Sequence, residues 1–332
     1  MLRTMTITLL VLATIMLALP TTIGLLGRRP AESTLPDGAD SIPVQVYFPD
    51  TKKVEAIPLG DYLKGVVAGE MPPEFEMEAI KAQFIVARTY TVRRMRQFGG
   101  QGGCPLNPAA DVCADFSTNQ AFMNRDTLVA RHGKLVAESF WRRLERAQAE
   151  TSGLVLTHKG VLIDPLYHGV SGKATENAEE YFANPAPYLV SVDDHWGADA
   201  PRLVQQTHFS PDAFALALGG EIPPTLAVTT ATGAGRSPVQ VTARTATGRV
   251  KTVKVGELTL TGREFRERLG LPSTDFRVFL QDGKVVVETV GNGHGVGMSQ
   301  YGANGMARAG KQSTEILTHY YQGVTISRLF ES

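Results

Sequence analysis

Hydrophobic and polar residues alternate in different ways along the chain, and its first segment is the most uniform. Residues 5–26 carry no charge, and arginines flank them on both sides. As a helix, a run of this length crosses the roughly 30 Å hydrocarbon layer of a bilayer. The pattern therefore predicts one transmembrane helix within a membrane anchor over residues 1–27.

A cleaved signal peptide is the alternative for this segment. The apolar part of a signal peptide usually has only about 7–15 residues, and no convincing A-x-A cleavage site follows this longer run. These two features favour an uncleaved anchor. Since either alternative exports the chain, we expect the rest of the protein outside the cytoplasm. The polar residues 28–41, which include two prolines, are predicted to form a linker.

Helical and alternating patterns are mixed in the region after the linker. Alternation over residues 42–48 predicts a strand, and residues 61–69 predict a short helix with Asp61 as its N-cap. Two prolines then force a bend just after Glu70. Two helices and a β-hairpin follow, over residues 75–98, 127–148 and 154–167.

The pattern becomes strand-rich over residues 199–290, with short helices near 211–217 and 262–268. A glycine-dense loop over 291–305 and a helix over 314–321 complete the chain. The predicted fold class is α+β: a mixed helix and antiparallel-sheet part over 42–330 that includes 199–290 as a strand-rich second lobe, preceded by the N-terminal transmembrane helix.

Charge and cysteine content exclude some classes of protein. Lys plus Arg and Asp plus Glu number 33 each, so no overall field attracts nucleic acid, and no nucleic-acid partner is expected. The two cysteines are too few for a disulfide framework.

Glu70 is the first residue with candidate chemistry. It lies between a glycine and the proline bend, at a helix end beside apolar residues. Burial would raise its pKa, which suits a general acid near neutral pH. A surface or capping glutamate is the alternative that this one residue leaves open.

Two further segments combine glycine with polar side chains. Residues 167–175 (YHGVSGKAT) end the predicted hairpin, and residues 291–303 (GNGHGVGMSQYGA) carry glycine at alternating positions. Such glycines let the backbone approach a ligand closely. Neither segment fits a nucleophile elbow, a Walker A loop or the dinucleotide G-x-G-x-x-G pattern. An ordinary turn and a tight glycine loop are the alternatives.

Three blocks together carry a resemblance to a known family. EMPPEFEMEAIKAQFIVARTY, YHGVSGKATENAEEYF and GHGVGMSQYGANGMA, in this order, resemble the stage II sporulation protein D family, over about residues 42–326. Members of that family are lytic transglycosylases that cut glycan strands stripped of stem peptides while the forespore is engulfed. The resemblance implies a single-pass protein of the cell membrane, with its catalytic domain between the mother-cell and forespore membranes. It implies an amidase or endopeptidase and membrane proteins of the engulfment machinery as partners.

The resemblance also assigns site residues. It implies Glu70 as acid and base, with Arg88 and Lys81 positioning or tuning it. The remaining matched residues are expected to line the cleft or contact substrate: Gln83, Tyr167, Ser171, His294, Gln300 and Tyr301.

The carboxylate count agrees with that chemistry. A hydrolytic glycosidase usually needs two carboxylates on opposite sides of the bond, and the sequence offers one well-placed candidate. A lytic transglycosylase needs one, which protonates the linkage between N-acetylmuramic acid and N-acetylglucosamine. The same group then activates the 6-hydroxyl that closes a 1,6-anhydro ring. Whether Arg88 lowers the pKa of Glu70 more than burial raises it stays open at this point.

The loop around the cysteines departs from some relatives, which hold a metal with a Cys…His-Cys-Gln pattern. Here Thr118 and Asn119 stand at the His-Cys positions, so Cys104 and Cys113 would supply only two of about four zinc ligands. We therefore expect no zinc and no other cofactor. Outside the cytoplasm, a Cys104–Cys113 disulfide is favoured over free thiols.

Two non-enzymatic functions remain as alternatives. The chain could bind glycan and enhance a partner amidase, as other members of the superfamily do, or serve as a structural anchor of the engulfment assembly.

Overall fold

The computed structural model describes residues 38–220 and 239–330. The predicted anchor and residues 28–37 of the predicted linker lie outside these ranges. Within them, no helix is both long and apolar enough to cross a bilayer. The last residues of the predicted linker are part of the folded body, since Ala39 is buried and Asp40 pairs with the fully buried Arg88.

The first part of the body alternates helices and short strands. Its helices are α1 (Leu59–Glu70), α2 (Met77–Arg94), α3 (Arg125–His132), α4 (Lys134–Glu150) and α5 (Ala178–Phe182), and its 3-10 turns are Arg96–Phe98 and His195–Gly197. Its strands are β1 (Pro43–Phe48), β2 (Lys53–Pro58), β3 (Val112–Cys113), β4 (Leu154–His158), β5 (Val161–Leu162) and β6 (Tyr167–His168).

The second part is richer in strands. Its strands are β7 (Val204–Phe209), β8 (Val239–Arg244), β9 (Val250–Val255), β10 (Leu258–Thr261), β11 (Asp275–Gln281), β12 (Lys284–Val290), β13 (Met298–Ser299) and β14 (Thr325–Arg328). Its helices are α6 (Pro211–Ala217), α7 (Gly262–Leu269), α8 (Gln300–Arg308) and α9 (Ser313–Tyr320). The mixed helix and sheet content confirms the α+β class.

Helix α2 forms the centre of the larger core. Its sequence contains neither Gly nor Pro, and thirteen of its eighteen residues are buried. It packs against α1, α4, α8, α9 and β4. Alanines at 79, 82 and 87 allow these elements to approach closely. Because α1, α2 and α8 meet here, this core sets the positions of the motif residues that they carry.

The strand-rich lobe has its own core. Two three-stranded antiparallel sheets, in the orders β10-β9-β8 and β11-β12-β7, enclose Phe214, Phe265 and Phe276. Thr261 and Glu264 form a capping box that starts α7, as this pattern favours. These strands and the helices α6 and α7 lie within the ranges that the sequence pattern predicts.

Several element boundaries differ from the predictions. Asp61 lies in the first turn of α1 and does not cap it, because the helix already starts at Leu59. The helix predicted over 127–148 is broken at Gly133, which has φ 79° and separates α3 from α4. The glycine loop ends earlier than predicted, since α8 starts at Gln300.

The predicted hairpin over 154–167 keeps its first strand, its turn and only the first part of its second strand. β4 pairs with β5 across the turn at Lys159–Gly160, and with β14 on its other edge. The chain then leaves this sheet, and β6 pairs in parallel with β13 instead. This exchange of partners joins the Tyr167 segment to the glycine loop.

Candidate functional site

Glu70 is the last residue of α1. Pro72 disfavours helical geometry at the residue before it, and Met71 is extended with φ −113° and ψ 134°. The helix therefore ends at Glu70, which is partly buried, above the apolar side chains of the last turn.

Two glycines of α1 bring a second backbone segment against this carboxyl group. A Cβ at Gly65 would lie 2.2 Å from the ring of Phe122, and one at Gly69 would lie 3.1 Å from the backbone of Ala121. Because neither helix position has a side chain, residues 121–122 lie directly on the helix. The N–H of Ala121 then donates to Oε1 of Glu70 at 2.8 Å.

The other two motif blocks supply the remaining contacts. In the β6–β13 pair, Tyr167 is opposite Met298, two residues before Gln300. The Tyr167 hydroxyl donates to Oε1 of Glu70 at 3.1 Å, and the Gln300 amide donates to Oε2 at 3.3 Å. The three blocks thus meet at one carboxyl group, as predicted.

Burial is the dominant influence on this carboxyl group and raises the pKa of Glu70. The bonds from Ala121, Tyr167 and Gln300 partly oppose the rise because they stabilise the anion. Oε1 accepts two bonds and Oε2 accepts only the longest one, so Oε2 is the better position for a proton. Burial also raises the pKa of Tyr167 well above its ordinary value, which keeps the phenol a neutral donor.

Gln120 holds Tyr167 in place. Its amide nitrogen donates to the Tyr167 oxygen at 3.0 Å, and its Oε1 accepts from the hydroxyl of Thr91 on α2 at 3.3 Å. Gln120 was not among the predicted site residues. The available signal was that it stands at the Gln position of the Cys…His-Cys-Gln pattern of some relatives.

His294 supports Tyr167 from the backbone side. Its Nδ1 accepts from the N–H of Val296 at 3.0 Å, its ring bonds to the backbone of Tyr167, and Phe182 packs beside it. Burial lowers the pKa of His294 to about 4, so the ring is neutral at neutral pH. The structure gives His294 no bond to Glu70, and its contacts position the tyrosine.

Ser171 is buried and does not face open solvent. Its hydroxyl bonds to His168, whose other ring nitrogen bonds to the carbonyl of Val296. These hydrogen bonds stabilise the turn after β6. The expectation that Ser171 contacts substrate is therefore not supported by its position.

Tyr301 is at a more accessible position than Ser171. Its ring packs edge-on against Phe75, with 4.9 Å between the centroids, and it is partly exposed. Its place next to Gln300 makes it a candidate wall of the cleft.

Three residues predicted for the site make no bond to Glu70. Arg88 donates to both carboxylate oxygens of Asp40, at 2.8 and 2.9 Å, and to the carbonyl of Leu154. It makes no bond to Glu70 and is not among the largest influences on the pKa of that group, so its contacts do not support the expected tuning. Lys81 pairs with Glu78 and Glu150 on the helix surface. Gln83 is fully buried within α2, and neither of its amide atoms has a hydrogen-bond partner among the described residues.

The cysteine loop contains the Cys104–Cys113 disulfide, the alternative that was favoured over free thiols. Both sulfurs are therefore unavailable as metal ligands. In the described ranges, no group of three or more His, Cys, Asp or Glu residues is arranged to hold a metal ion.

The strand-rich lobe contacts the glycine loop through a buried polar cluster. Glu176 accepts from the hydroxyls of Thr245 and Thr247, both at 2.6 Å, and its backbone N–H bonds to Gly295. Arg249 donates to the carbonyl of Ser171, and a Cβ at Gly295 would lie 2.7 Å from its guanidinium. The turn between β8 and β9 therefore supports the segment that carries His294 and Gln300.

Comparison with known proteins places this arrangement in a family. The pattern described as Stage II sporulation protein matches residues 47–158. Stage II sporulation protein D of Bacillus amyloliquefaciens is 39% identical over 298 residues, which cover 90% of this chain and 81% of that protein. The protein of the same name from Bacillus subtilis (strain 168) is 36% identical over 289 residues, 87% of this chain and 80% of the relative.

A more distant relative has a different name. The amidase enhancer of Bacillus subtilis (strain 168) is 26% identical over 311 residues, which cover 80% of this chain and 40% of that protein.

Proposed function

The chain belongs to the stage II sporulation protein D family, and from that premise we propose that it is a lytic transglycosylase of peptidoglycan. Its substrate would be the glycan strand without stem peptides, and its products would carry 1,6-anhydro-N-acetylmuramic acid. The observation that supports this proposal is a single partly buried carboxyl group, Glu70, which has a raised pKa and accepts hydrogen bonds from Ala121 and from one residue of each of the other two motif blocks, Tyr167 and Gln300.

The first step is protonation of the linkage. Protonated Glu70 donates from Oε2 to the oxygen between N-acetylmuramic acid and N-acetylglucosamine, and the bond from that oxygen to C1 of the muramic acid breaks. The carboxylate that forms is stabilised by the donors from Ala121, Tyr167 and Gln300. Because Tyr167 remains a neutral phenol, it keeps its proton throughout.

The second step closes the ring. The Glu70 carboxylate takes the proton of the muramic acid 6-hydroxyl, whose oxygen attacks C1. Glu70 is protonated again, and no water is consumed. This mechanism uses one carboxylate, whereas hydrolysis usually uses two on opposite sides of the bond.

We further propose that the protein acts at the cell membrane in septal wall remodelling, outside the cytoplasm, with an N-terminal anchor and an amidase among its partners. The residues of the anchor lie outside the described ranges.

The direct test is product analysis with stripped strands and no amidase present. We expect Glu70→Gln to reduce formation of anhydro-ended products by at least about a thousandfold, since it removes both proton transfers. Glu76→Gln is the matched control, because this exposed neighbour makes no side-chain cap to α2.

Full activity of a folded Glu70→Gln protein would refute the enzymatic assignment. Stimulation of an amidase by wild-type protein that releases no anhydro product would favour the enhancer, the function in the name of the Bacillus subtilis relative. Normal engulfment in a deletion strain complemented with Glu70→Ala would favour a structural anchor.

A further inference from the structure

A solvent-open pocket of about 530 Å³ lies beside the disulfide loop. The end of α2 and the two segments joined by the disulfide line it. Among the described residues of its lining are two arginines and no aspartate or glutamate. The side chains that carry the argument are Tyr90, Arg94, Arg96, Gln101, Thr118 and Asn119.

The two arginines differ in the groups that their guanidiniums contact. Arg94 lies over the ring of Tyr90, with its Cζ 3.3 Å from the centroid, and pairs with Asp164 at 2.9 Å. The guanidinium of Arg96 instead donates to the backbone carbonyls of Pro108 and Ala109. The Asp111 carboxylate accepts from the backbone N–H of Arg96 at 3.1 Å, but within the described ranges the guanidinium itself has no carboxylate partner. The pocket therefore holds a guanidinium with donors left for an anion.

One residue of the pocket wall, Asn119, lies two residues before Ala121, which bonds to Glu70. Asn119 forms part of the pocket wall and donates to the Tyr90 oxygen at 2.9 Å. Gln120 bonds to Tyr167, and Ala121 bonds to Glu70. Since consecutive Cα atoms are about 3.8 Å apart, the backbones of Asn119 and Ala121 are at most about 8 Å apart. The pocket wall therefore adjoins the segment that bonds to Glu70.

We propose that this pocket binds the free lactyl carboxylate of a muramic acid residue beside the cleaved linkage, and that Arg96 is the cation that recognises it. This inference rests on the proposed function and names how the substrate would be selected. On a stripped strand the lactyl group is an anion, whereas a stem peptide converts it to a neutral amide. A guanidinium binds a carboxylate through paired, charge-assisted hydrogen bonds, so Arg96 favours the stripped strand.

The test measures binding with full-length protein that carries Glu70→Gln, so that no strand is cut. The probes are stripped strands and the same strands with their carboxylates converted to methylamides. Because hydrogen bonds to charged groups contribute about 1.5–3 kcal/mol, we expect stripped strands to bind roughly tenfold or more tightly than the methylamide strands.

Two added substitutions each remove this preference by a different route. Arg96→Gln deletes the cation, and Gln101→Glu places an opposing charge in the pocket without loss of a contact, because Gln101 is exposed and makes no side-chain bond among the described residues. Each is expected to weaken binding of stripped strands about tenfold and to leave methylamide strands unaffected. Gln97→Glu, an exposed glutamine outside the pocket, is the matched control and should retain the preference.

Equal affinity of the parent protein for both probes would overturn the inference, as would an equal loss on both probes in the two variants. Cleavage assays with Glu70 restored keep this result separate from the proposed function. Anhydro products without a binding preference refute the carboxylate pocket alone. A preference without anhydro products refutes the transglycosylase and leaves the pocket as a glycan-binding site.

Discussion

At the residue scale, the chemistry depends on how one carboxyl group is surrounded. Glu70 loses solvent at a helix end, which raises its pKa, and three donors limit the rise. The proposed mechanism needs both effects: burial keeps a proton on the carboxyl group, and the donors stabilise the anion that forms when the proton is transferred. None of these donors is charged, so the balance does not depend on a nearby cation.

Tyr167→Phe tests the contribution of the phenol. The substitution removes a bond that lowers the pKa of Glu70, so the pKa should rise further. Since the first step needs protonated Glu70, activity falls as pH rises through this pKa. We therefore expect the alkaline limb of the pH–rate profile to move to higher pH, with a maximum about 10- to 100-fold lower.

The pH profile separates this role from a structural one. A Tyr167→Phe profile that is lower at every pH but not displaced would show that the phenol does not tune Glu70. Tyr47→Phe is a suitable control, because Tyr47 packs against the disulfide cluster and is not among the residues that bond to Glu70.

Stability should also depend on Glu70. A group whose pKa is higher in the folded than in the unfolded protein contributes stability fully below the unfolded pKa, and that contribution is lost as pH rises through the folded value. Glu70→Gln removes the loss, so the variant should unfold at a higher temperature than wild type at neutral pH. The difference should shrink as pH falls through the raised pKa of folded Glu70 and should be absent below about 4.3, the ordinary glutamate value.

Thermal unfolding at several pH values measures this effect. A constant difference between wild type and Glu70→Gln from acid to neutral pH would contradict a raised pKa. Glu76→Gln, at an exposed position, is again the control.

At the element scale, short pairings matter as much as long helices. β6 and β13 pair through only two residues each, yet they bring Tyr167 and Gln300 to the same carboxyl group. Pairs of this size carry almost no periodic signal, because strand patterns need about four or more residues. The prediction of a continuous hairpin over 154–167 failed for this reason.

The break between α3 and α4 is a second feature of this scale. Gly133 has φ 79° and ψ 156°, a region that only glycine occupies readily, and a Cβ there would meet nothing within 4 Å. Gly133→Ala should therefore destabilise the protein by about 1–3 kcal/mol through backbone strain alone. Denaturant unfolding measures it.

Gly38→Ala serves as the comparison for that substitution. Its Cβ would also meet nothing within 4 Å, and the φ of Gly38 does not lie in the left-handed region. A Gly133→Ala protein as stable as the Gly38→Ala protein would contradict the strain argument.

At the scale of the whole molecule, buried polar contacts join distant parts of the chain. The Asp40–Arg88 pair attaches the first described residues to the central helix, and Gln148 of α4 donates to the same carboxylate at 3.0 Å. The Glu176 cluster attaches the strand-rich lobe to the glycine loop. Both clusters set the positions of segments that the apolar cores alone would leave less defined.

Asp40→Ala tests the first of these contacts. It leaves the fully buried Arg88 without its counter-charge, so we expect a loss of about 3–5 kcal/mol in the free energy of unfolding. The double variant Asp40→Ala with Arg88→Met removes both charges and should recover much of that loss. Equal stabilities of the single variant and wild type would contradict a structural role for the pair.

Several elements could be predicted from the local sequence, because backbone geometry and the spacing of apolar residues depend on neighbouring residues in the chain. Prolines after Glu70 end α1, alternation marks the strands of the second lobe, and the unbroken helix-forming run predicts α2. The family resemblance added that the three motif blocks belong to one site, which the bonds to Glu70 bear out in geometry.

Tertiary structure decided which polar side chains meet. Arg88 and Glu70 are 18 residues apart on adjoining helices, yet Arg88 turns to Asp40, while Gln120 from an irregular loop joins the site. The desolvation that raises the pKa of Glu70 likewise arises only when α1, the 120–122 segment and the β6–β13 pair pack together. The local sequence pattern predicts the secondary structure of each segment. Burial and hydrogen bonding between segments depend on distances that are defined only when the chain is folded.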